Sequence, residues 1–451
     1  ANAGNSIASG GNYNVLIGDE AGTAITTGDN NVAVGFEALK TEDAHGNNVA
    51  IGYQALKVQD AGQDAYNIAI GSGAGVANTT GIANVFIGGL AGDVNTTGSR
   101  NIAVGLNSLG ANTVGSKSVA IGDATLDSQN PTTATDMFNV AVGHSAGGAV
   151  TTGTKNTIVG GLAGDALTAS GNNVAFGYAA LTTDTLGSLS TAIGYSALET
   201  QNFTTSTVSY NVALGYKAGE AVTTGTNNTL IGSLAGDALT DADFNVAVGL
   251  QALTSDTLGS QSVAIGSNAL FSQNPTTATN MLNVAVGHSA GNAVTTGLRN
   301  NFVGGFTGDA ITTGSDNTAI GHAALTNDDV GSKSTAVGAD ALSSLNMTVA
   351  TDTHNTAVGY QAGVNVSTGI HNTIIGSIAG DALTAADYNV ALGKGALSTD
   401  VRGSRSTALG YEALFAQNFT TATNTDNVAV GYNTGVSVTT GIQNTLIGSG
   451  A

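Results

Sequence analysis

A five-residue pattern recurs along the chain: Asn or Ser, then an apolar, a small, another apolar residue and Gly. It reads Asn-Val-Ala-Val-Gly from Asn31 and Ser-Val-Ala-Ile-Gly from Ser118. Large and small residues alternate with a period of two, which is typical of a β-strand, whereas a helix needs apolar spacings of three and four. We expect the β-branched Val32 and Val34 to point into a core and Ala33 to point away from it.

The copies of this pattern are evenly spaced. Most of the intervals between them span seventeen residues, five span twenty-one and one spans nineteen. Six copies mark a longer super-repeat of seventy-two residues, and they begin at Asn67, Asn139, Asn211, Asn283, Asn355 and Asn427. The sequence therefore predicts an all-β fold, a parallel β-solenoid or β-roll of about 25 coils of 17 residues with a 21-residue coil every fourth. Residues 1–13 would be an N-terminal lead and residues 14–451 a single continuous solenoid.

Each coil has a predicted internal order. The Gly after each strand, such as Gly35, predicts a corner, because a residue without Cβ tolerates unusual backbone conformations. The run Phe-Glu-Ala-Leu after Gly35 should form a second short strand, and the Asn side chains should stack between coils as hydrogen-bonded amide ladders. The predicted structural repeat residues include Asn31, Gly35, Asn139, Gly143, Asn211, Gly215, Asn283, Gly287, Asn355 and Gly359. With coils about 4.8 Å apart, such a solenoid would extend roughly 120 Å.

Two sequence features recur with the period of the super-repeat. One copy in four carries a bulky residue at its centre, and we expect these side chains to be covered by another copy of the chain. They are Phe86, Ile158, Leu230, Phe302, Ile374 and Leu446. The long coils carry four-residue insertions, which are interpreted either as contact loops for a sugar or protein surface or as tolerated loops. The apolar residues of these loops are Pro131, Phe203, Pro275, Met347 and Phe419.

The repeats resemble a known family. Ser-Val-Ala-Ile-Gly-Asp-Ala from Ser118 and Ser-Val-Ala-Ile-Gly-Ser-Asn-Ala from Ser262 are similar to the head repeats of trimeric autotransporter adhesins. The resemblance covers nearly the whole chain, although the usual coil of that family is shorter. It implies a left-handed parallel β-roll, a homotrimer, and binding to host matrix or to other cells. Similar repeats occur in phage tail fibres, where a trimeric shaft is also expected.

Composition excludes several kinds of partner. The net charge is −20 with only 11 Lys and Arg, so we expect neither nucleic-acid binding nor attraction to an anionic membrane surface. No apolar run approaches the ~18 residues that cross a bilayer, so direct membrane insertion of this chain is not expected. Cys is absent, which rules out disulfides and thiolate metal ligands.

No catalytic or metal-binding constellation stands out in the sequence. Carboxylates that recur once per super-repeat, such as Asp93 and Asp165, are too sparse for a Ca²⁺ site on one chain. The six His do not form a ligand cluster, and His144 and His288 share a position with tyrosines of other coils. The coils differ only periodically, whereas an active site would need one special coil. We therefore predict no enzyme activity, no cofactor and no metal.

The leading functional hypothesis is an extracellular structural or adhesive fibre, or a surface-presented rod, that mediates attachment to cell surfaces or between cells. Its expected partners are two further copies of the chain, with a protein or glycan surface ligand as an addition. Alternatives are a phage tail-fibre shaft and a filament subunit that assembles end to end. Ice binding is a weaker alternative, because Thr-Thr-Gly falls mostly once per super-repeat and a flat ice face needs Thr on successive coils.

Overall fold

The structure, a computed structural model, describes residues 2–451. The chain divides into two compact units, Ala1–Asn227 and Asn228–Ala451. The described residues form β-strands and turns and contain no helix, so none of them provides a long apolar helix that could cross a membrane. Each unit is a parallel β-solenoid, and that part of the prediction is confirmed, with about 25 coils in all. The single continuous solenoid stays a prediction.

Among the described residues of the first unit, twelve three-residue strands form a parallel sheet, one strand per coil. These strands are β1 (Val15–Ile17), β2 (Val32–Val34), β3 (Val49–Ile51), β4 (Ile68–Ile70), β5 (Val85–Ile87), β6 (Ile102–Val104), β7 (Val119–Ile121), β8 (Val140–Val142), β9 (Thr157–Val159), β10 (Val174–Phe176), β12 (Thr191–Ile193) and β14 (Val212–Leu214). Two shorter strands, β11 (Gly187–Ser188) and β13 (Thr207–Val208), pair with each other beside a long coil.

The second unit repeats this arrangement with thirteen three-residue strands. These are β15 (Thr229–Ile231), β16 (Val246–Val248), β18 (Val263–Ile265), β20 (Val284–Val286), β21 (Asn301–Val303), β22 (Thr318–Ile320), β24 (Thr335–Val337), β26 (Thr356–Val358), β27 (Thr373–Ile375), β28 (Val390–Leu392), β30 (Thr407–Leu409), β32 (Val428–Val430) and β33 (Thr445–Ile447). Three further parallel pairs of two-residue strands flank its long coils. They are β17 (Gly259–Ser260) with β19 (Thr279–Asn280), β23 (Gly331–Ser332) with β25 (Thr351–Asp352), and β29 (Gly403–Ser404) with β31 (Thr423–Asn424).

Successive strands pair centre to centre whatever the coil length. Ala33 pairs with Ala50 across a coil of the regular length, and Ala120 pairs with Ala141 across a coil that carries an insertion. The insertions therefore loop out of the coil and leave the register of the sheet unchanged.

The alternation within each strand runs opposite to the prediction. Ala33 is fully buried, whereas Val32 and Val34 lie half-buried on the outside. The reason is the narrow interior, because Ala38 and Leu39 from the following turn are fully buried and leave room for only a methyl group at the strand. The prediction that the β-branched pair points into the core is therefore wrong.

The bulky strand residues also lie in this interior. Phe86 is fully buried, and the turn position that Leu39 holds in its coil is Gly75 in the coil before Phe86 and Gly92 in its own. A Cβ on Gly92 would overlap the Phe86 ring, and one on Gly75 would lie 2.7 Å from it. The ring therefore fills the space that two leucines fill elsewhere.

This placement corrects the prediction of chain–chain packing through the bulky residues. Phe86, Ile158, Leu230, Phe302 and Ile374 are buried inside their own coils, and Leu446 is partly exposed in the last described coil. A side chain enclosed by its own coil cannot contact another copy.

The run after the corner is a turn and not the second strand that was predicted. Glu37 and Leu39 have φ of +53° and +47°, in the left-handed region. The backbone still bonds to both neighbouring coils, since the Glu37 N–H donates to the Asp19 carbonyl and the Leu39 N–H to the Ala55 carbonyl, each at 3.0 Å. Turns thus continue the coil-to-coil hydrogen bonding that a strand would have provided.

The corner glycines have positive φ angles. Gly35 has φ of +135°, and a Cβ there would overlap the carbonyl oxygen of Gly52 in the next coil. The equivalent residues Gly143, Gly215, Gly287 and Gly359 have φ between +136° and +144°. Only glycine fits this corner, for reasons of both conformation and space.

The asparagines that begin the copies form a ladder of a different kind from the predicted one. In the first unit, the Asn84 backbone N–H donates to Oδ1 of Asn67 at 2.8 Å, and Nδ2 of Asn84 donates to the Gly98 carbonyl at 2.9 Å. The rungs thus run from side-chain amide to backbone. Asn31, Asn139, Asn211, Asn283 and Asn355 are equally buried and make bonds of this type to a backbone carbonyl fourteen residues ahead.

The N-terminal lead packs along the first coil. The Gly4 N–H donates to the Ala21 carbonyl at 3.0 Å, and the Ala8 N–H donates to the Thr26 carbonyl at 2.9 Å. The described part of the lead thus follows the backbone path of a coil without contributing a strand.

Candidate functional site

The largest candidate site is the solvent-facing side of each sheet. Every three-residue strand points its central side chain inward and its two flanking side chains outward, as Val246 and Val248 do around buried Ala247. We call the surface formed by these flanking residues the outer sheet face. Because the strands stay in register, its side chains form two straight rows in each unit.

The row next to the corner glycines is apolar in every coil. In the first unit it contains Ile17, Val34, Ile51, Ile70, Ile87, Val104, Ile121, Val142, Val159, Phe176, Ile193 and Leu214. In the second it contains Ile231, Val248, Ile265, Val286, Val303, Ile320, Val337, Val358, Ile375, Leu392, Leu409, Val430 and Ile447. Many of these side chains keep more than a third of their surface exposed, including Ile51, Ile121, Ile265 and Ile320. An apolar stripe this long is unusual on a surface without a partner.

Aromatic side chains lie beside the outer sheet face, at the residue after the corner glycine. Tyr178, Tyr195 and Tyr216 are about half exposed and stack on one another in the first unit, with ring centroids 5.5 and 5.6 Å apart. Tyr411 and Tyr432 stack at 5.1 Å in the second unit. The rings extend the apolar surface at its edge and carry hydroxyl groups that suit a polar rim.

The predicted contact loops expose other residues than expected. Their apolar residues are buried, and these are Pro131, Phe203, Pro275, Met347 and Phe419. The exposed tips follow immediately and consist mainly of hydroxyl side chains, namely Thr132, Thr133, Thr204, Thr205, Thr276, Thr277, Thr348, Thr420 and Thr421. The expected apolar tip is therefore a buried anchor, and the exposed surface of the loops is mainly polar, with Val349 as an apolar exception.

Carboxylates also occur inside the coils. Asp256 is fully buried, and its oxygens accept hydrogen bonds from Nε2 of Gln273 at 2.5 Å and from the Gly259 N–H at 2.6 Å. Asp184 with Gln201 and Asp400 with Gln417 repeat the contact at equivalent positions of other super-repeats. Burial raises the pKa of Asp184 and Asp256 above the usual range, although the hydrogen bonds oppose this. These residues are enclosed and satisfied, so they stabilise the coil and do not face a ligand.

One group of side chains departs from the repeat. Glu42, Asp43, His45 and Asp60 each place one potential metal-ligand atom within 4.8 Å of the others. We call these four residues the Glu42 cluster. It lies where the coil that starts at Asn31 meets the coil that starts at Asn48, whose length of nineteen residues occurs once.

The electrostatics of the Glu42 cluster centre on one buried acid. Glu42 is fully buried, and neither of its carboxylate oxygens has a hydrogen-bond partner. Burial, followed by the charge of Asp60, raises the pKa of Glu42 to about 7, against a smaller lowering by the nearby backbone of His45 and Asp43. Nδ1 of His45 lies 3.7 Å from Oε1 of Glu42, beyond hydrogen-bonding distance, and also has no hydrogen-bond partner.

This cluster is at odds with the expectation that no metal-binding constellation occurs. The signal was present in the sequence: Glu-Asp-Ala-His at 42–45 replaces turns such as Asn-Thr-Val-Gly at 112–115, with His45 at the position of Gly115. It was missed because the coils were taken to vary only periodically.

Comparison with sequence models of known protein families gives no match, and comparison with curated proteins gives none either.

Proposed function

We propose that this chain is an extracellular structural and adhesive protein of the cell surface, assembled with copies of itself through the outer sheet face. The apolar row of that face carries the proposal, because it runs through every coil without a charged residue in a chain of net charge −20. A face exposed to water throughout its function would have no reason to avoid charge so completely.

The size of the face suits a stable interface. Twelve apolar side chains on the outside of the first unit offer on the order of 800 Å², about what one partner contributes to a standard interface. Covering one such side chain stabilises the assembly by on the order of 1 kcal/mol. The row in the second unit is of the same kind.

Another copy of the same chain is the partner that this face fits. The apolar side chains recur once per coil, at a spacing set by backbone hydrogen bonds between strands. A partner must offer complementary groups at the same spacing over many coils, and a second solenoid of this sequence does so. Three copies is the number that the resemblance to trimeric adhesin heads implies.

The adhesive part of the proposal rests on the loops. They recur once per super-repeat, and each presents exposed hydroxyl side chains above a buried apolar anchor, as Thr276 and Thr277 do above Pro275. Identical weak contacts at fixed intervals give avidity when several engage together.

The assembly is tested by mass in solution. We expect sedimentation equilibrium of the 44.1 kDa chain to give three times that mass. The variant Val248→Glu, Ile265→Glu, Val286→Glu, with three acids on the outer face of neighbouring coils, should dissociate to monomers. The matched control places three glutamates at exposed loop positions, Thr276→Glu, Thr277→Glu and Ala278→Glu, and should remain assembled. A monomeric native chain would contradict the proposal.

Adhesion needs a separate measurement. Native protein should bind to at least one member of a panel of immobilised glycans and matrix proteins. A variant with the loop threonines replaced by alanine should lose that binding while keeping its mass. Equal binding by both would remove the loops from the proposal and leave the structural part.

A further inference from the structure

We propose that Glu42, Asp43, His45 and Asp60 bind a divalent transition-metal ion of the Zn²⁺ type in the first unit. The inference does not depend on the assembly proposed above, since all four residues belong to one chain and to two neighbouring coils of it.

The chemistry of the ligands selects the class of ion. Three carboxylates and one imidazole form a mixed oxygen and nitrogen set. Imidazole suits Zn²⁺, Co²⁺ or Ni²⁺, whereas Ca²⁺ and Mg²⁺ take oxygen ligands almost exclusively. Four ligands also match the tetrahedral coordination that Zn²⁺ prefers.

The distances are compatible with an ion after a small contraction. Ligands at about 2.0–2.1 Å from a tetrahedral ion lie roughly 3.3 Å from one another, whereas the four ligand atoms here lie within 4.8 Å. Asp43 and Asp60 are exposed and His45 is partly exposed, so three of the four side chains can adjust without disturbing the core.

Glu42 supplies the observation that points to a ligand. A buried carboxylate normally has partners, because desolvating an unpaired charge is costly. Both Glu42 oxygens lack one, and so does Nδ1 of His45, which faces Oε1 of Glu42 across 3.7 Å. An ion between them would satisfy both groups.

Glu42 differs from the buried aspartates at the equivalent position of other coils. Gln59 follows Glu42 at the same sequence separation at which Gln273 follows Asp256. Nε2 of Gln273 donates to the Asp256 carboxylate at 2.5 Å, but Nε2 of Gln59 has no partner. Glu42, longer by one methylene than aspartate, therefore does not use the amide that satisfies its equivalents and places its carboxylate among the ligands of the cluster.

The neighbouring lysines do not neutralise the cluster. Nζ of Lys40 pairs with Glu20 and with Glu37 at 2.7 Å, and Nζ of Lys57 pairs with Glu37 at 2.7 Å. No ion pair in the described part of the chain joins Asp43 or Asp60 to a cation, so the three acidic groups keep their attraction for a cation.

The test is calorimetric titration of the full chain, purified without a histidine tag, with ZnCl₂ and separately with CaCl₂. We expect native protein to bind one Zn²⁺ per chain that Glu42→Gln and His45→Ala each bind at least tenfold more weakly. Saturating Zn²⁺ should raise the thermal midpoint of the native chain and not that of either variant. His45 is partly exposed, so its variant should fold even if the buried substitution does not.

Two controls address other binding sites. His371→Ala removes one ring of the stacked pair His354 and His371, 5.1 Å apart, which could also capture Zn²⁺. Asp400→Asn removes a buried carboxylate at the equivalent coil position that already has partners. Both should retain the ion that Glu42→Gln loses. Absence of Zn²⁺ binding, unchanged binding in Glu42→Gln or His45→Ala, or Ca²⁺ binding as tight as Zn²⁺ would each overturn the proposal.

Discussion

Leu345 takes the place of the glutamine that satisfies a buried aspartate elsewhere, and Asp328 is left with a carboxylate oxygen that has no hydrogen-bond partner. Leu345 stands one coil after Asp328, at the same separation as Gln273 from Asp256. Oδ1 of Asp328 still accepts from the Gly331 N–H at 3.1 Å, while Oδ2 is buried without a donor. The second unit thus contains a satisfied and an unsatisfied version of one site.

Asp256 and Asp328 should respond differently in stability to the same substitution. Asp256→Asn loses a charge-assisted hydrogen bond and should lower the free energy of unfolding by about 1–3 kcal/mol. Asp328→Asn removes the charge of a carboxylate whose Oδ2 has no hydrogen-bond partner, so it should change stability by less than that or increase it. Urea denaturation of both variants measures the difference. An equal loss in the two would show that the unpartnered oxygen has no energetic effect.

Leu345→Gln provides the complementary control. In the presence of Asp328 it should restore the contact that Gln273 makes, and combined with Asp328→Asn it should not. A double-mutant cycle should therefore give a coupling of about 1–3 kcal/mol between positions 328 and 345.

Neighbouring glycines at one corner should differ sharply in their tolerance of a side chain. Gly304 has φ of +140°, and a Cβ there would lie 2.5 Å from the Gly321 carbonyl oxygen, whereas a Cβ on Gly305 would meet nothing closer than 4.0 Å. Gly304→Ala should destabilise the second unit by at least about 2 kcal/mol through strain and displacement of the next coil. Gly305→Ala should stay within about 0.5 kcal/mol. Thermal midpoints measured by circular dichroism compare the two, and similar midpoints would contradict the corner geometry.

A large strand residue fills the space that two turn leucines fill in other coils, and mutation can reverse this exchange. Phe302→Ala should destabilise the fold by about 3–5 kcal/mol, because it empties the interior between Gly291 and Gly308. Adding Gly308→Leu should recover part of that loss, since Leu325 occupies the same turn position with a similar backbone conformation in the next coil. Val286→Ala on the outer sheet face is the control for a truncation outside the interior and should cost about 1 kcal/mol or less. No recovery in the double variant would argue against volume exchange.

Buried aspartates predict the direction of the pH dependence. Burial raises the pKa of Asp184, Asp256 and Asp328 above that of an unfolded aspartate. Between the unfolded value near 4 and the raised folded values, the folded chain binds more protons, so the free energy of unfolding falls as pH rises. The triple variant with Asn at these positions should show a weaker decline of the thermal midpoint with pH. An identical pH profile would contradict the raised pKa values.

Coil number, strand position and corner glycines could be predicted from the sequence, because each leaves a local mark at a fixed interval. Gly35 is an example, since its conformation and its contact with Gly52 allow no other residue. Which face of each strand is buried could not be predicted, because a period of two identifies two faces without saying which of them is inside. Ala33 fits either side, and only the buried Leu39 of the turn decides between them.

The candidate sites show the same limit. A face covered by another copy was predicted because of bulky residues such as Phe86, but these residues lie inside the coil. The outer sheet face is formed instead by residues such as Val34, which were predicted to lie in the core. The Glu42 cluster requires contacts between two coils that pair in space, and a single irregular turn is easily overlooked among regular ones.

In some coils one aromatic ring on the strand takes the place of two leucines in the turns. This packing also constrains how such a gene can change length. Loss of a single coil beside Phe302 would leave the ring facing a leucine, or a glycine facing an empty interior. Loss or gain of a whole super-repeat leaves each large side chain between its two glycines. Gain or loss of whole super-repeats is therefore the change of length that keeps the packing of the interior intact.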